Sequence, residues 1–193
     1  MSFSLIHIGT RNTPIHCVLG VLDTPNGQFI AKEMLTWITL LYDVSIITHD
    51  GSEYEYPAIS YSHDYAIEHD LPVLYLHTKG AANPNTSYKQ SAVRNMWRYE
   101  FLGKYNWYKT HLTNDTVLCP YTGPSKTTWF NGFITTPSAF NTLGQIPKST
   151  NRYIYERLFN HTDINVHGRV INDADDNGDG ITKVIQMVNN VYN

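Results

Sequence analysis

The sequence predicts an α/β domain with a mostly parallel central sheet flanked by helices. Three observations carry this. Short apolar runs of strand length alternate with amphipathic helical patterns, and the runs stop at polar or glycine-containing turns. At 193 residues the chain is long enough for one sizeable hydrophobic core. No internal repeat or low-complexity segment breaks the alternation.

Leu5-Ile6-His7-Ile8 reads as a buried strand closed by Gly9. Residues 10–26 are rich in Pro and Gly and read as loop, with a short apolar piece over 17–22. Residues 28–42 place Ile30, Met34, Trp37, Ile38 and Leu41 on one helical face. Val44 to Thr48 is a second strand, followed by the turn His49-Asp50-Gly51. A helical pattern over 62–69 stops before Leu71-Pro72, because the residue before proline avoids the helical region. Val73 to Leu76 is a third strand, closed by His77-Thr78-Lys79-Gly80, and residues 81–86 form a loop. Ser87-Tyr88-Lys89-Gln90 has the form of a capping box, with Val93, Met96, Trp97, Glu100 and Phe101 following at helical spacing. Thr116–Cys119 and Phe133–Thr136 are short strands, and Ser149 or Thr150 caps a helix through Phe159. Ile181, Val184, Ile185, Val188 and Val191 share one face of a last helix. Residues 1–170 are expected to form the domain, with 171–193 an acidic, Gly-rich linker and helix packed on it.

Lys and Arg number 14 against 17 Asp and Glu, a net charge of −3. A dedicated nucleic-acid binder carries a basic excess, so nucleic acid is not the expected partner. With 16% charged and 13% aromatic residues, neither a disordered chain nor a coiled coil fits. The 14 Tyr and 4 Trp suit a surface for polar ring-shaped ligands, and a packed core explains them equally well. Two cysteines, Cys17 and Cys119, make no disulfide framework; free thiols in a reducing compartment are the simpler reading. No stretch approaches the roughly 18 apolar residues of a membrane span, and the first residues are not a secretory leader. A cytoplasmic location is expected.

In such sheets the ligand crevice lies at the carboxyl ends of the strands. Three stretches qualify: Gly9-Thr10-Arg11, Thr48-His49-Asp50 and His77-Thr78-Lys79. The third is the most informative. It ends a buried run, Leu71-Pro-Val-Leu-Tyr-Leu-His-Thr-Lys-Gly80, and side chains two apart on a strand point the same way, so His77 and Lys79 can face one ligand.

At these residues the chain resembles a glycosyltransferase of the GT-A (Rossmann-like) fold. In that fold such a strand ends in Asp-x-Asp, which holds a divalent metal on the donor diphosphate; here His77 and Lys79 take those places. More narrowly it resembles the "HTKG" group of proposed glycosyltransferases of polysaccharide loci and large DNA viruses. The matching features are Leu41-Tyr42-Asp43, Tyr65-Ala66, the run ending at Gly80, Trp97-Arg98, Asp115-Thr116-Val117, Trp129 to Phe133 and Phe140 to Leu143. The chain departs from the group at Asn131-Gly132-Phe133-Ile134, where Gly-Asn-Phe-Trp is commoner.

The resemblance implies transfer of a sugar from a nucleotide sugar, UDP-sugar favoured, to a glycan or glycoprotein hydroxyl, in bacterial or virus-infected host cytoplasm. It implies a donor site of Gly9, Thr10, Arg11, Asp50, His77, Lys79, Gly80 and Arg98, with Trp129, Asn131 and Gly132 on the acceptor side. Charge builds on the leaving phosphates, and a metal or a fixed cation must stabilise it. Lysine brings its own charge and cannot ligate while protonated. Replacing Asp-x-Asp by His-x-Lys therefore points to transfer that requires no cofactor; Mn²⁺ or Mg²⁺ is the metal that a partial dependence would use. Arg94 and Arg98, four apart on one helix face, can add charge.

Each candidate has a plainer alternative. His77 and Lys79 can be solvated loop residues, Asp50 an ordinary turn former, and Trp129 a core residue. A general base is needed if the enzyme inverts; Glu156 is the candidate, with Asp115 and Asp163 behind it, although Glu156 can simply pair with Arg152. Asp175, Asn177 and Asp179, before Gly180, resemble a calcium loop, but position 12 is Gln186 rather than Glu. His63, His69, His111, His161 and His167 lack zinc-site spacing. The rival functions are a non-catalytic carbohydrate- or nucleotide-binding module and a calcium-responsive structural protein.

Overall fold

A computed structural model describes residues 4–9, 13–82, 87–123, 125–149, 151–161, 163–170 and 186. The strand at its centre, β2 (His16–Leu22), lies in the stretch whose Pro and Gly content reads as loop. Cys17, Leu19 and Val21 face one layer of the core and Val18 the other. Gly20 faces that second layer, where a Cβ would come within 3.0 Å of Ala58 Cβ. A glycine there is a close approach of helix to sheet, not a chain break.

Helix α1 (Pro25–Ile38) follows β2 and starts three residues earlier than expected. Thr24 caps it, its hydroxyl accepting from Gly27 N–H, with Pro25 at the first helical position. Strand β3 (Asp43–His49) and helix α2 (Tyr56–His69) come next. The first half of α2 escapes a periodicity search because its buried face is small: Ala58, Ile59, Ser62 and Ala66. Then come β4 (Val73–His77), α3 (Ser87–Arg98), a π-helical turn (Tyr99–Gly103) and α4 (Tyr105–His111). Strand β5 (Thr116–Thr122) leads through a 3₁₀ turn (Trp129–Asn131) to β6 (Phe133–Thr135) and α5 (Pro137–Leu143). The helix expected before Phe159 is a shorter 3₁₀ segment, Arg152–Arg157, capped by Asn151. Thr150 lies outside the described residues. Strand β7 (Asn165–Val170) closes the described domain; the expected last helix lies outside it, apart from Gln186.

With β1 (Ser4–Ile8) included, the described residues form one sheet of seven strands in the order β1-β3-β2-β4-β6-β5-β7. The sheet is mixed, which corrects the expectation of a mostly parallel one. Strands β3, β2 and β4 are mutually parallel, as are β5 and β7, while β1 runs against β3 and β6 against both β4 and β5. The cause is the connections. A helical crossover joins each of β2, β3 and β4 to the next, whereas only a loop and a short 3₁₀ turn separate β5 from β6, so the chain returns antiparallel.

Strand β1 is also not buried. It is the outer edge, and Leu5, Ile6 and Ile8 are 49%, 54% and 38% exposed. The two faces of the sheet carry separate core layers, one under α1, α3 and α4 and the other under α2 and α5. Cys17 and Cys119 are free and buried, and burial pushes both thiols up. Among the described residues no helix is long and apolar enough to cross a membrane.

The topology selects one crevice. From β2 the chain crosses to β3 on one side, then returns past β2 to β4 on the other. The direction of winding reverses between β2 and β4, so a cleft is expected at their carboxyl ends.

Candidate active site

The exits of β2 and β4 are joined by Thr78. Its N–H donates to Gly20 O at 2.9 Å, and its hydroxyl accepts from Leu22 N–H at 3.1 Å. Asn26 adds a bond from Nδ2 to Ala81 O. Lys79 N–H then bonds back to His77 O at 2.7 Å, and Gly80 turns the chain with φ +92°. A side chain at Gly80 would also strike Gln90.

Arg94 reaches this turn from α3. Its Nη1 donates to Lys79 O at 2.7 Å, while Nη2 lies 3.5 Å from Glu33. Arg94 is buried and acts on the Lys79 backbone. Arg98, the expected helper, is exposed and forms no side-chain hydrogen bond or ion pair among the described residues. The Lys79 ammonium likewise forms no hydrogen bond or ion pair among them. The turn is clamped, and its cation is uncommitted among the described residues.

His77 is placed differently from the expectation that it faces one ligand together with Lys79. It is buried, and its Nε2 is 3.3 Å from Phe130 O. A carbonyl only accepts, so Nε2 carries the hydrogen. Its other nitrogen, Nδ1, lies 3.4 Å from Glu55 Oε1, and Asn131 Nδ2 donates to Glu55 Oε2. Burial, assisted by the Lys79 ammonium, holds His77 well below the usual imidazole range. Burial also lowers His49 at the end of β3, against the opposing pull of Glu55. The edge therefore carries a carboxylate beside a neutral imidazole whose basic nitrogen can share a proton with it.

The segment that supplies Asn131 is strained. Phe130 and Asn131 have φ of 66° and 54°, a left-handed conformation that non-glycine residues seldom adopt in sequence. Hydrogen bonds from Asn131 N–H to Thr128 O and from Thr128 N–H to Glu156 O hold it. Gly132 completes the arrangement, because a Cβ there would sit 2.4 Å from Trp97 Nε1. Trp97 is fully buried, so Gly132→Ala is expected to lower stability by about 1–3 kcal/mol, measured by urea denaturation. An unchanged midpoint would show that the indole moves aside freely.

The remaining candidates separate clearly. Asp50 is at the correct edge, but its carboxylate accepts from Ser52 N–H and Oγ, which lowers its pKa and makes it a turn former. It borders a cleft of about 320 Å³ lined partly by His49, Tyr56, Tyr61 and Lys148. Gly9 lies at the opposite edge, because β1 is antiparallel and its end meets the start of β3 beside Asp43. Thr10 and Arg11 lie outside the described residues.

Asp115 is also at the far edge, before β5, where its Oδ1 accepts from Ser138 and Thr142. Asp163 is exposed just before β7, which starts alongside Asp115. These two positions cannot serve a base at the His77 edge. Glu156 remains within reach of the Thr128–Asn131 segment through its backbone carbonyl. Asn131 is 1% exposed and serves Glu55 rather than standing open to an acceptor. The side chains of Trp129 and Arg152, and the whole of Asp175, Asn177 and Asp179, lie outside the described residues.

Glu55 is the residue that sequence reasoning missed. A signal existed: it follows β3 at the carboxyl edge and immediately precedes α2, whose second residue is Pro57. Among the described residues no group of three or more His, Cys, Asp and Glu side chains is arranged to hold a metal ion. No family model matches the chain, and neither a curated protein nor a solved structure matches it.

Proposed function

We propose that the protein is a glycosyltransferase that moves a sugar from a nucleoside-diphosphate sugar, UDP-sugar favoured, to a hydroxyl of a glycan or glycoprotein. One observation carries the reading. An ammonium uncommitted among the described residues, Lys79, stands on a turn held by Thr78 and Arg94 at the reversal point of the sheet. A fixed cation at that place stabilises the charge that grows on a departing diphosphate.

The chemistry then divides between two groups. The acceptor oxygen bonds to the anomeric carbon as its proton passes to Glu55. The bond from that carbon to the diphosphate oxygen breaks, and the electron pair goes to the phosphate beside Lys79. Asn131 orients the Glu55 carboxylate by donating from Nδ2, and His77 Nδ1 shares its proton. On this reading Lys79 does the work that a divalent metal does at Asp-x-Asp. Activity lost completely on chelation and restored by Mn²⁺ would contradict that assignment.

The direct test is thermal unfolding with UDP, GDP, CDP, ADP and their sugars. A binding diphosphate at one hundred times its dissociation constant should raise the midpoint by roughly 5–10 °C. No shift with any of them would remove the donor site from this edge.

A further inference from the structure

A second cleft lies between α4, with the π turn before it, and strands β5 and β7. It measures about 540 Å³, a size suited to a small ligand. Three backbone irregularities meet there. The π-helical turn after α3 presents Glu100 to it. The pairing of β5 with β7 slips between Leu118 and Tyr121, where Pro120 has no N–H to offer the ladder. Opposite the slip is Gly168, where a Cβ would come 2.7 Å from Cys119 O. Single π turns and strand bulges are over-represented next to functional sites, and here both shape one cavity.

The lining has the chemistry of sugar recognition. Trp107 is 46% exposed and stacks on His111, with centroids 4.2 Å apart and planes 20° from parallel. His111 is held by its Nδ1 against Trp107 O at 2.8 Å. Beside this aromatic pair is a buried carboxylate. Glu100 accepts two bonds from Lys104, at 2.7 and 2.6 Å, and one from the Tyr108 hydroxyl at 3.4 Å. Arg169 Nη2 is 3.7 Å away and also serves Tyr121. Both cations are engaged with Glu100, so the cluster offers little free positive charge to a diphosphate. It offers donors and an acceptor next to an aromatic surface.

We propose that this cleft binds a saccharide unit, its ring against Trp107 and its hydroxyls bonded by Glu100, Lys104 and Arg169. Trp97, whose ring lies 5.4 Å from His77, stands one turn before Glu100, so one continuous helical segment reaches from the candidate active site to the lining of the cleft. Its role as an acceptor site rests on the transferase reading, whereas its binding does not. The acceptor class it selects is a glycan rather than a bare polypeptide.

The test is saturation-transfer NMR with a panel of methyl pyranosides: gluco, galacto, manno, xylo, fuco and N-acetylglucosaminide. At least one should bind and shift the Trp107 indole resonance, assigned by comparison with Trp107→Phe. Trp107→Ala should weaken that binding about ten-fold or more, and its surface position leaves the fold intact. Lys79→Ala should leave it unchanged. Absence of binding by every glycoside overturns the proposal, as does binding that survives Trp107→Ala. Failure of every nucleoside diphosphate to bind the unmodified protein, with glycoside binding present, would instead overturn the donor-site reading alone.

Discussion

Lys79→Ala is expected to reduce sugar transfer by about 10²–10³-fold in kcat while leaving the unfolding midpoint nearly unchanged, the loss typical for removing one preorganised group that stabilises developing negative charge. The two halves of this expectation have separate grounds. The turn is held by Thr78, Gly80 and Arg94 through backbone atoms that alanine retains. The ammonium itself forms no hydrogen bond or ion pair among the described residues, so its removal breaks none there. Lys79→Arg should recover part of the rate, since charge is kept while shape changes. Transfer measured with each variant, alongside thermal unfolding, decides the matter. A variant with full activity would end the assignment, and one that unfolds early would make Lys79 a structural residue.

Stability should fall as the pH drops from about 6.5 toward 4. Three imidazoles are held below their usual range in the folded protein: His16, at about 4, and His49 and His77. Burial is the largest cause for each, and His7 adds to it at His16. His16 is enclosed by rings, stacked on Tyr65 at 4.0 Å and on His7 at 5.3 Å, with Nε2 2.9 Å from Ser45 Oγ.

Their unfolded pKa lies near 6.5, so between that value and the folded one the unfolded chain binds more protons. The stabilisation is complete above the unfolded pKa and drains away as pH falls through the folded values. For His16 alone the shift corresponds to on the order of 3 kcal/mol. Urea midpoints at pH 7.5, 6 and 5 should decline in that order, and His16→Gln should flatten the decline. A midpoint independent of pH across that window would mean that these imidazoles are solvated in the folded state.

Much of the first half of the fold was legible because its signals are local. The apolar stripe of α1 and the run of β4 into His77-Thr78-Lys79-Gly80 are set by neighbouring residues. Strand β2 was hidden by a conflict. Gly20 and the flanking prolines signal a loop, yet Gly20 is there because α2 approaches the sheet too closely for a side chain. The direction of β6 was not legible either, since nothing within Phe133–Thr135 says which way a three-residue strand will pair. Misjudged direction then misplaced Gly9, whereas Asp115 lies at the far edge because it precedes a strand that runs parallel to β4. Each follows or precedes an apolar strand, but antiparallel β1 and the start of β5 put them at the edge away from His77.

The residue pattern alone determined an α/β chain and a cation, Lys79, just beyond an apolar strand run, because periodicity and turn chemistry act over a few neighbouring residues. Tertiary structure alone decided that Glu55, His77 and Asn131 meet. Asn131 and Glu55 stand 76 positions apart, and His77 and Phe130 stand 53. Contacts over such separations depend on strand order and direction, which long-range packing sets and local spacing does not encode.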